Sequence, residues 1–209
     1  MSHVTSARSL PLLGGALCLD FANTVSWRGR EEPDEWLASY DDLLDWARHA
    51  LVISAETRSR LRRTARAKPV LATAALKRAR DLREATYRAF SRHAGGDVPA
   101  DGDLEQIRAG YADAVRHATL AAPPDGERWS WVDDDSAELD FMTRAVARSA
   151  VELATSGDLA RVRECLGENC GWLFVDHSRN RSRRWCSSAD CGNRARVRRF
   201  YERERGTAR

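Results

Sequence analysis

Two cysteine pairs in the last quarter of the chain restrict its possible folds more than any other feature. Cys165 and Cys170 form one Cys-x4-Cys pair, and Cys186 and Cys191 form a second, with fifteen residues between the pairs. Four thiolates at this spacing suit a closed tetrahedral zinc site. Two disulfides or four unrelated thiols are the alternatives, but nothing in the sequence points to an oxidising compartment. Gly171-Trp172-Leu173-Phe174-Val175 reads as a strand, residues 178–182 as a turn and Arg183-Arg184-Trp185 as a short return strand. Residues 193–204 then read as a helix, with Val197, Phe200 and Tyr201 on a face predicted to pack on Trp172, Phe174 or Trp185. Cysteine loop, hairpin, cysteine loop and helix make a small zinc finger resembling a treble clef. Cys191 falls at the helix N-terminus, where free N–H groups and the dipole favour a thiolate. A segment of about 45 residues buries too little apolar surface to fold alone. One structural Zn2+ would therefore supply much of its stability.

Charge is unevenly distributed. From Arg161 onward there are thirteen arginines against six acidic residues, a balance of +7, whereas the first 160 residues carry 21 basic against 25 acidic groups, or −4. A zinc ion with four thiolates is a −2 unit, which leaves the metal-bound tail at about +5. An acidic body joined to a basic tail suggests a polyanionic partner for the tail. The choice of Arg over Lys adds nothing to that argument, because the whole chain has only Lys68 and Lys77.

Upstream of the finger, residues 1–157 read as an α-rich domain with a small β-hairpin, giving a mainly α fold class, and residues 158–209 as the finger. Leu17, Phe21 and Val25 fit a helix, while Leu17, Leu19 and Phe21 fit a strand equally well. Residues 27–33 look like an exposed loop. Ser39, with Asp42 in the first turn, caps a helix whose apolar stripe is Leu43, Leu44, Trp46, Ala47 and Ala50. Ser54 and Thr57 open a second helix that ends before Pro69. Residues 70–94 form the longest, with Leu71, Leu82 and Phe90 among its buried positions, and it stops at Gly95-Gly96. Asp103 is predicted to cap a fourth, in which Leu104, Ile107, Tyr111 and Val115 recur at helical spacing. Residues 118–122 and 128–132 flank Pro123-Pro124-Asp125-Gly126 as a hairpin with Trp129 and Trp131 on one face, and Ser136 caps a helix over 139–154. No run of 18 apolar residues exists, so no membrane span is expected. The apolar stretch 10–19 lacks a cleavage site, and the protein reads as cytoplasmic. Cys18 reads as a small buried hydrophobe. Asp20, Asn23 and Arg28 are polar groups near an apolar run, available for a small-molecule effector or, more commonly, for turns and caps.

Cys191-Gly192-Asn193-Arg194, preceded by Trp185-Cys186 and by Trp172-Leu173-Phe174-x-Asp176-x-Ser178-Arg179-Asn180-x-Ser182-Arg183-Arg184, resembles the CGNR zinc-finger family. Leu17-Cys18-Leu19-Asp20-Phe21-Ala22-Asn23-Thr24 and Leu43-Leu44-x-Trp46 resemble the ABATE domain that accompanies this finger, described as a stress-induced transcription regulator. The resemblance implies zinc ligation by Cys165, Cys170, Cys186 and Cys191, and a bacterial regulator that binds DNA. His177 and Arg196 stand where family members often have Thr and Lys; neither change touches a ligand.

The residues support the same expectation independently. Arg179, Arg181, Arg183 and Arg184 crowd the predicted hairpin, and Arg194, Arg196, Arg198 and Arg199 lie beside the apolar stripe of the last helix. Arginines on adjoining surfaces suit phosphate contact. A solvated basic face, or one docked on the acidic body, is the plainer reading. The leading expectation is a zinc-dependent, DNA-binding transcription regulator whose N-terminal domain senses a ligand or forms a homodimer. The alternative is a zinc-stapled RNA- or protein-binding adaptor. An enzyme is not expected: four thiolates leave no open coordination position, and no nucleophile elbow, phosphate loop or HExxH is present. Metal analysis of the purified protein should return one zinc per chain, lost in Cys186→Ser; protein without stoichiometric zinc would contradict the ligand set.

Overall fold

The computed structural model describes residues 6–122, 130–133 and 138–207. A 3-10 turn, Ala7–Ser9, precedes α1 (Leu17–Ala22), and β1 (Val25–Ser26) pairs antiparallel with β2 (Asp34–Glu35). Four helices follow: α2 (Tyr40–His49), α3 (Ala55–Ala67), α4 (Pro69–Gly95) and α5 (Asp101–Arg116). A hairpin of β3 (Ala118–Ala121) and β4 (Ser130–Asp133) leads to α6 (Phe141–Thr155) and a second 3-10 turn, Gly157–Arg161. β5 (Val162–Glu164), β6 (Leu173–Val175) and α7 (Cys191–Thr207) complete the chain. The fold is mostly helical with small antiparallel hairpins, as the sequence indicates.

Local chemistry sets several of these boundaries. Ser39 forms a reciprocal capping box with Asp42, and the Ser54 hydroxyl accepts from Thr57 N. Gly96, with φ at +89°, ends α4 in the left-handed conformation that favours glycine. The ambiguous stretch at 17–25 is a helix because Cys18, Leu19, Phe21 and Ala22 are all buried, with α1 wedged between α4 and α6. Phe21 meets Trp46 of α2 with ring centroids 4.9 Å apart.

Other expectations change. Asp103 is not a cap: α5 starts two residues earlier, and Asp103 is buried in its first turn, where Oδ1 accepts from Arg88 Nε and Nη2 at 2.9 and 2.6 Å. A tertiary ion pair has displaced the local use of that carboxylate. Leu71 and Leu104, near the starts of α4 and α5, remain exposed, while their neighbours Ala72 and Asp103 are the buried residues of those turns. α6 begins at Phe141 rather than residue 139; the expected cap Ser136 and the hairpin residue Trp129 lie outside the described residues, as does the side chain of Trp131.

The finger hairpin also differs from the expected one. β6 pairs with β5 upstream of the first cysteine pair, with Val162 opposite Val175 and Glu164 opposite Leu173, and not with Arg183–Trp185. The other edge of β6 is taken by Asn23 and by Gly14 O, and Asp176, which is fully buried, redirects the chain after it. The Asp176 carboxylate accepts from Ser178 N at 2.8 Å and Arg183 N at 2.9 Å, turning the chain away from the sheet edge.

The finger shares its core with the helical body. Leu173, Phe174, Val175 and Val162 belong to the same apolar cluster as Leu19, Phe21, Trp46 and Val146. Asn23, at the end of α1, pairs like a strand with Leu173: Nδ2 donates to its carbonyl at 2.9 Å and Oδ1 accepts from its N–H at 2.8 Å. Trp172 Nε1 donates to Val25 O at 3.1 Å, and Val175 N donates to Gly14 O at 2.8 Å. Asn23→Leu leaves the Leu173 amide and carbonyl unpaired, each worth about 1–3 kcal/mol when buried. Urea unfolding should show a loss in that range or above with one transition retained; a loss near zero would mean that the pair contributes nothing.

Candidate metal centre and basic surface

The first cysteine pair sits in the turn of the β5–β6 hairpin. Cys170 N donates to Gly167 O at 3.0 Å, and Asn169 and Gly171 take φ of +57° and +69° to bring the chain back. Gly167 is required by crowding, because a Cβ there would lie 2.9 Å from Cys191 Sγ. A Cβ on Gly171 would lie 2.8 Å from Arg28 Cβ. Cys191 is the first residue of α7, and Cys186 precedes it on a loop closed by Gly192 N donating to Ser187 O at 2.9 Å.

These elements bring all four sulfurs within 4.8 Å of one another, each from a buried residue. Cys170 and Cys186 Sγ are 3.7 Å apart, and Cys186 and Cys191 Sγ 3.6 Å. A tetrahedron with zinc–sulfur arms of about 2.3 Å has edges of about 3.8 Å, whereas a disulfide needs about 2.05 Å. The geometry therefore fits zinc and excludes the disulfide alternative; all five cysteines are free. The Cys165 sulfur accepts from Gly167 N at 3.3 Å and Cys186 N at 3.2 Å, and Cys191 Sγ accepts from Arg194 Nη2 at 2.9 Å. Donors aimed at sulfur hold thiolates in place. Four such groups cannot all ionise side by side without a cation. Contacts from Cys170, Cys186 and Cys191 pull Cys165 strongly down, while contact with Cys165 pushes Cys170 and Cys186 strongly up. One structural Zn2+ resolves the conflict and cross-links the hairpin to α7. Cys18 lies apart from this group, and burial pushes its thiol up to about 12, which suits an inert core residue.

The arginines divide into two classes that sequence did not separate. Arg183 is structural: its guanidinium lies 4.1 Å over the Phe174 ring and donates to Leu13 O, Trp185 O and Cys186 O. Arg194 is structural too, bonded to Cys191 Sγ, paired with Asp190 at 2.9 Å and stacked 4.3 Å over Trp27. Both are half-buried. Arg179, Arg181 and Arg184 are exposed on the loop before Cys186, and Arg196, Arg198 and Arg199 are exposed on α7. Arg198 pairs with Glu168 of the knuckle at 2.6 Å. Val197, Phe200 and Tyr201 do not pack on the hairpin; they are 46%, 59% and 59% exposed. Trp172 and Phe174 are buried in the shared core instead, and the Trp185 ring lies against the start of α7, where a Cβ on Gly192 would meet it at 3.4 Å.

The three candidate ligand-binding residues serve internal contacts. Asn23 is the strand-like partner of Leu173. Arg28 bonds Glu84 at 2.8 Å and Ala22 O at 2.8 Å and lies 3.7 Å over the Tyr87 ring. Asp20 Oδ1 accepts from Gly14 N at 2.7 Å, tying down the loop whose Gly14 carbonyl holds Val175. Residues 27–29, expected in an exposed loop, clamp the knuckle: Arg28 N donates to Cys170 O and Gly29 N to Asn169 O. The Trp27-Arg28-Gly29 order was the available signal, since an aromatic and a glycine around a cation suit a close approach.

A family model for ABATE, described as "Putative stress-induced transcription regulator", matches residues 15–157, and one for the CGNR zinc finger matches residues 161–204. The chain belongs to the ABATE family and carries a C-terminal CGNR zinc finger. None of the curated proteins compared with it matches. Among its described residues no helix is long and apolar enough to cross a membrane.

In this ABATE protein Asp20 carries a pH signature. Burial pushes its carboxyl up to about 6, against the lowering effect of N–H donation from Gly14 and Leu13. A raised acid binds more protons folded than unfolded, so its stabilising contribution is complete below about pH 4 and lost as pH rises through about 6. Asp20→Asn keeps the acceptor without the charge. Its stability relative to wild type should rise by about 2–3 kcal/mol between pH 4 and 7 in denaturant titrations; a flat difference would contradict a buried, perturbed Asp20.

Proposed function

We propose that the protein is a zinc-dependent transcription regulator that holds DNA through its CGNR finger. The observation that carries this reading is the set of exposed arginines, Arg179, Arg181, Arg184, Arg196 and Arg199, displayed on the two finger segments that zinc joins. Their guanidinium groups suit phosphate oxygens, and the −4 balance of the first 160 residues disfavours binding of a polyanion through the body. Arg183 and Arg194 act one step removed, by fixing the scaffold. Zinc supplies a cross-link and no reaction, since a closed four-thiolate site has no position for substrate. The ABATE domain, acting in the cytoplasm, would pass an effector or assembly signal to the finger through their shared core.

A second reading, an RNA- or protein-binding adaptor, draws on Val197, Phe200 and Tyr201, an apolar stripe open between the α7 arginines. Fluorescence anisotropy with duplex DNA across a salt series separates the two. Arg179→Ala, Arg184→Ala and Arg199→Ala should each lower the log–log salt slope by about one if each arginine meets one phosphate. Slopes that do not change, or competition by structured RNA at lower concentration than by any duplex, would overturn the DNA reading.

A further inference from the structure

A groove of about 630 Å³ opens between α4 and the start of α5, away from the finger's arginines, and is lined by Tyr87, Arg88, Ser91, Arg92, Gly102 and Asp103. That volume is in the range of small-molecule sites, about 300–1,000 Å³. Its polar groups converge on one kind of ligand. Arg88 and Arg92 stand one helical turn apart on the same face of α4. Both are held in place: Arg88 by Nε and Nη2 on Asp103, and Arg92 by Nε on Val98 O at 2.8 Å. These bonds commit neither Arg88 Nη1 nor the terminal amino groups of Arg92. Opposite them α5 begins at Asp101 after Ala100, which provides no side-chain cap, and a Cβ on Gly102 would meet open space. Asp101 and Asp103 stand in the first turn of α5, and Asp103 is committed to Arg88, so the attraction for negative charge comes from the uncommitted donors of Arg88 and Arg92, while Tyr87 and Ala100 add an apolar wall.

The floor of this groove also braces the zinc site. Ser91 donates its hydroxyl to Glu164 Oε2 at 2.5 Å, and Tyr87 donates to Glu164 Oε1 at 3.4 Å. Glu164 is the residue before Cys165. The Tyr87 ring carries Arg28, whose N–H bonds Cys170 O, and the Tyr87 hydroxyl would lie 3.1 Å from a Cβ on Gly171. The same tyrosine therefore touches both ends of the first zinc knuckle and the groove.

We infer that the groove between α4 and α5 binds a small organic anion, a carboxylate or phosphate group on a compact body, and that its occupancy steadies the first zinc knuckle through Tyr87, Ser91 and Glu164. This depends on the regulator reading only for what the signal finally controls.

The test uses full-length, zinc-loaded protein and three probes: benzoate, inorganic phosphate and uncharged benzamide. Amide chemical shifts of Ser91, Arg92 and Gly102 should respond saturably to benzoate or phosphate and not to benzamide. Stronger binding by benzoate assigns a carboxylate ligand, and stronger binding by phosphate a phosphate ester. Arg92→Gln, an exposed position, should weaken that binding about tenfold with the circular dichroism spectrum unchanged. A saturating anion should slow zinc transfer to a chelator about fivefold or more, and Ser91→Ala should abolish the slowing while the anion still binds. Failure of both anions to saturate these amides, equal binding by Arg92→Gln, or zinc transfer indifferent to the bound anion would overturn the inference. None of these measurements involves DNA, so loss of duplex binding and loss of anion binding are read separately.

Discussion

The structure depends on one junction, where the amide of Asn23 pairs with the backbone of Leu173 beneath the zinc site. A finger this small cannot bury enough apolar surface to stand alone. Metal is the usual remedy, and four sulfurs at tetrahedral spacing provide it here. The helical body provides a second remedy. Leu173, Phe174 and Val175 are buried in one apolar cluster with Leu19, Phe21 and Trp46 of the ABATE body. The finger thus has two supports, zinc on one side of β6 and α1 on the other.

That double support explains the distribution of charge. Arg183, Arg194 and Arg28 lie near the sulfurs, and each is held by stacking on Phe174, Trp27 or Tyr87 as well as by hydrogen bonds. A guanidinium is suited to such places because it stacks and donates in one plane. With those arginines fixed inside, the exposed ones on the 178–184 loop and α7 rest on a rigid base. Arg83, only 3% exposed, pairs with Glu35 and Glu84, and Glu84 in turn holds Arg28. A connected network thereby joins β2 and α4 to the loop against the knuckle.

Much of this was legible in the sequence, for physical reasons. Ser39 with Asp42, Ser54 with Thr57 and Gly96 act through bonds within a few residues, so their patterns are local and readable. The cysteine spacing was readable because metal geometry allows few solutions. The misreadings of Asp103, α1 and the finger hairpin involve partners distant in the chain. Asp103 looked like a cap until Arg88 claimed it, and α1 was ambiguous because a helix of six residues with four of them buried has no diagnostic period. The β5 sequence Val162-Arg163-Glu164 carries no strand signal, so Arg183-Arg184-Trp185 took its place in the expected hairpin. Periodicity found the stripe of Val197, Phe200 and Tyr201 but could not tell that Trp172 and Phe174 were already engaged. Arg183 and Arg199 read alike as residue types; only Phe174 and the Cys186 carbonyl distinguish them. Asp20 and Asn23 of the ABATE motif could be read as ligand contacts or, more commonly, as turn and cap residues; Asp20 holds the Gly14 loop, and Asn23 holds the finger strand at Leu173.

The central claim is that zinc and the ABATE core hold the finger as one unit. Amide hydrogen exchange with and without a zinc chelator tests it most directly. Removal of zinc should strip protection from Leu173 and Val175 and also lower it in α1, around Cys18 to Ala22, because α1 packs on β6. If α1 kept its full protection while the finger amides exchanged freely, the two would be independent units and the account would be contradicted.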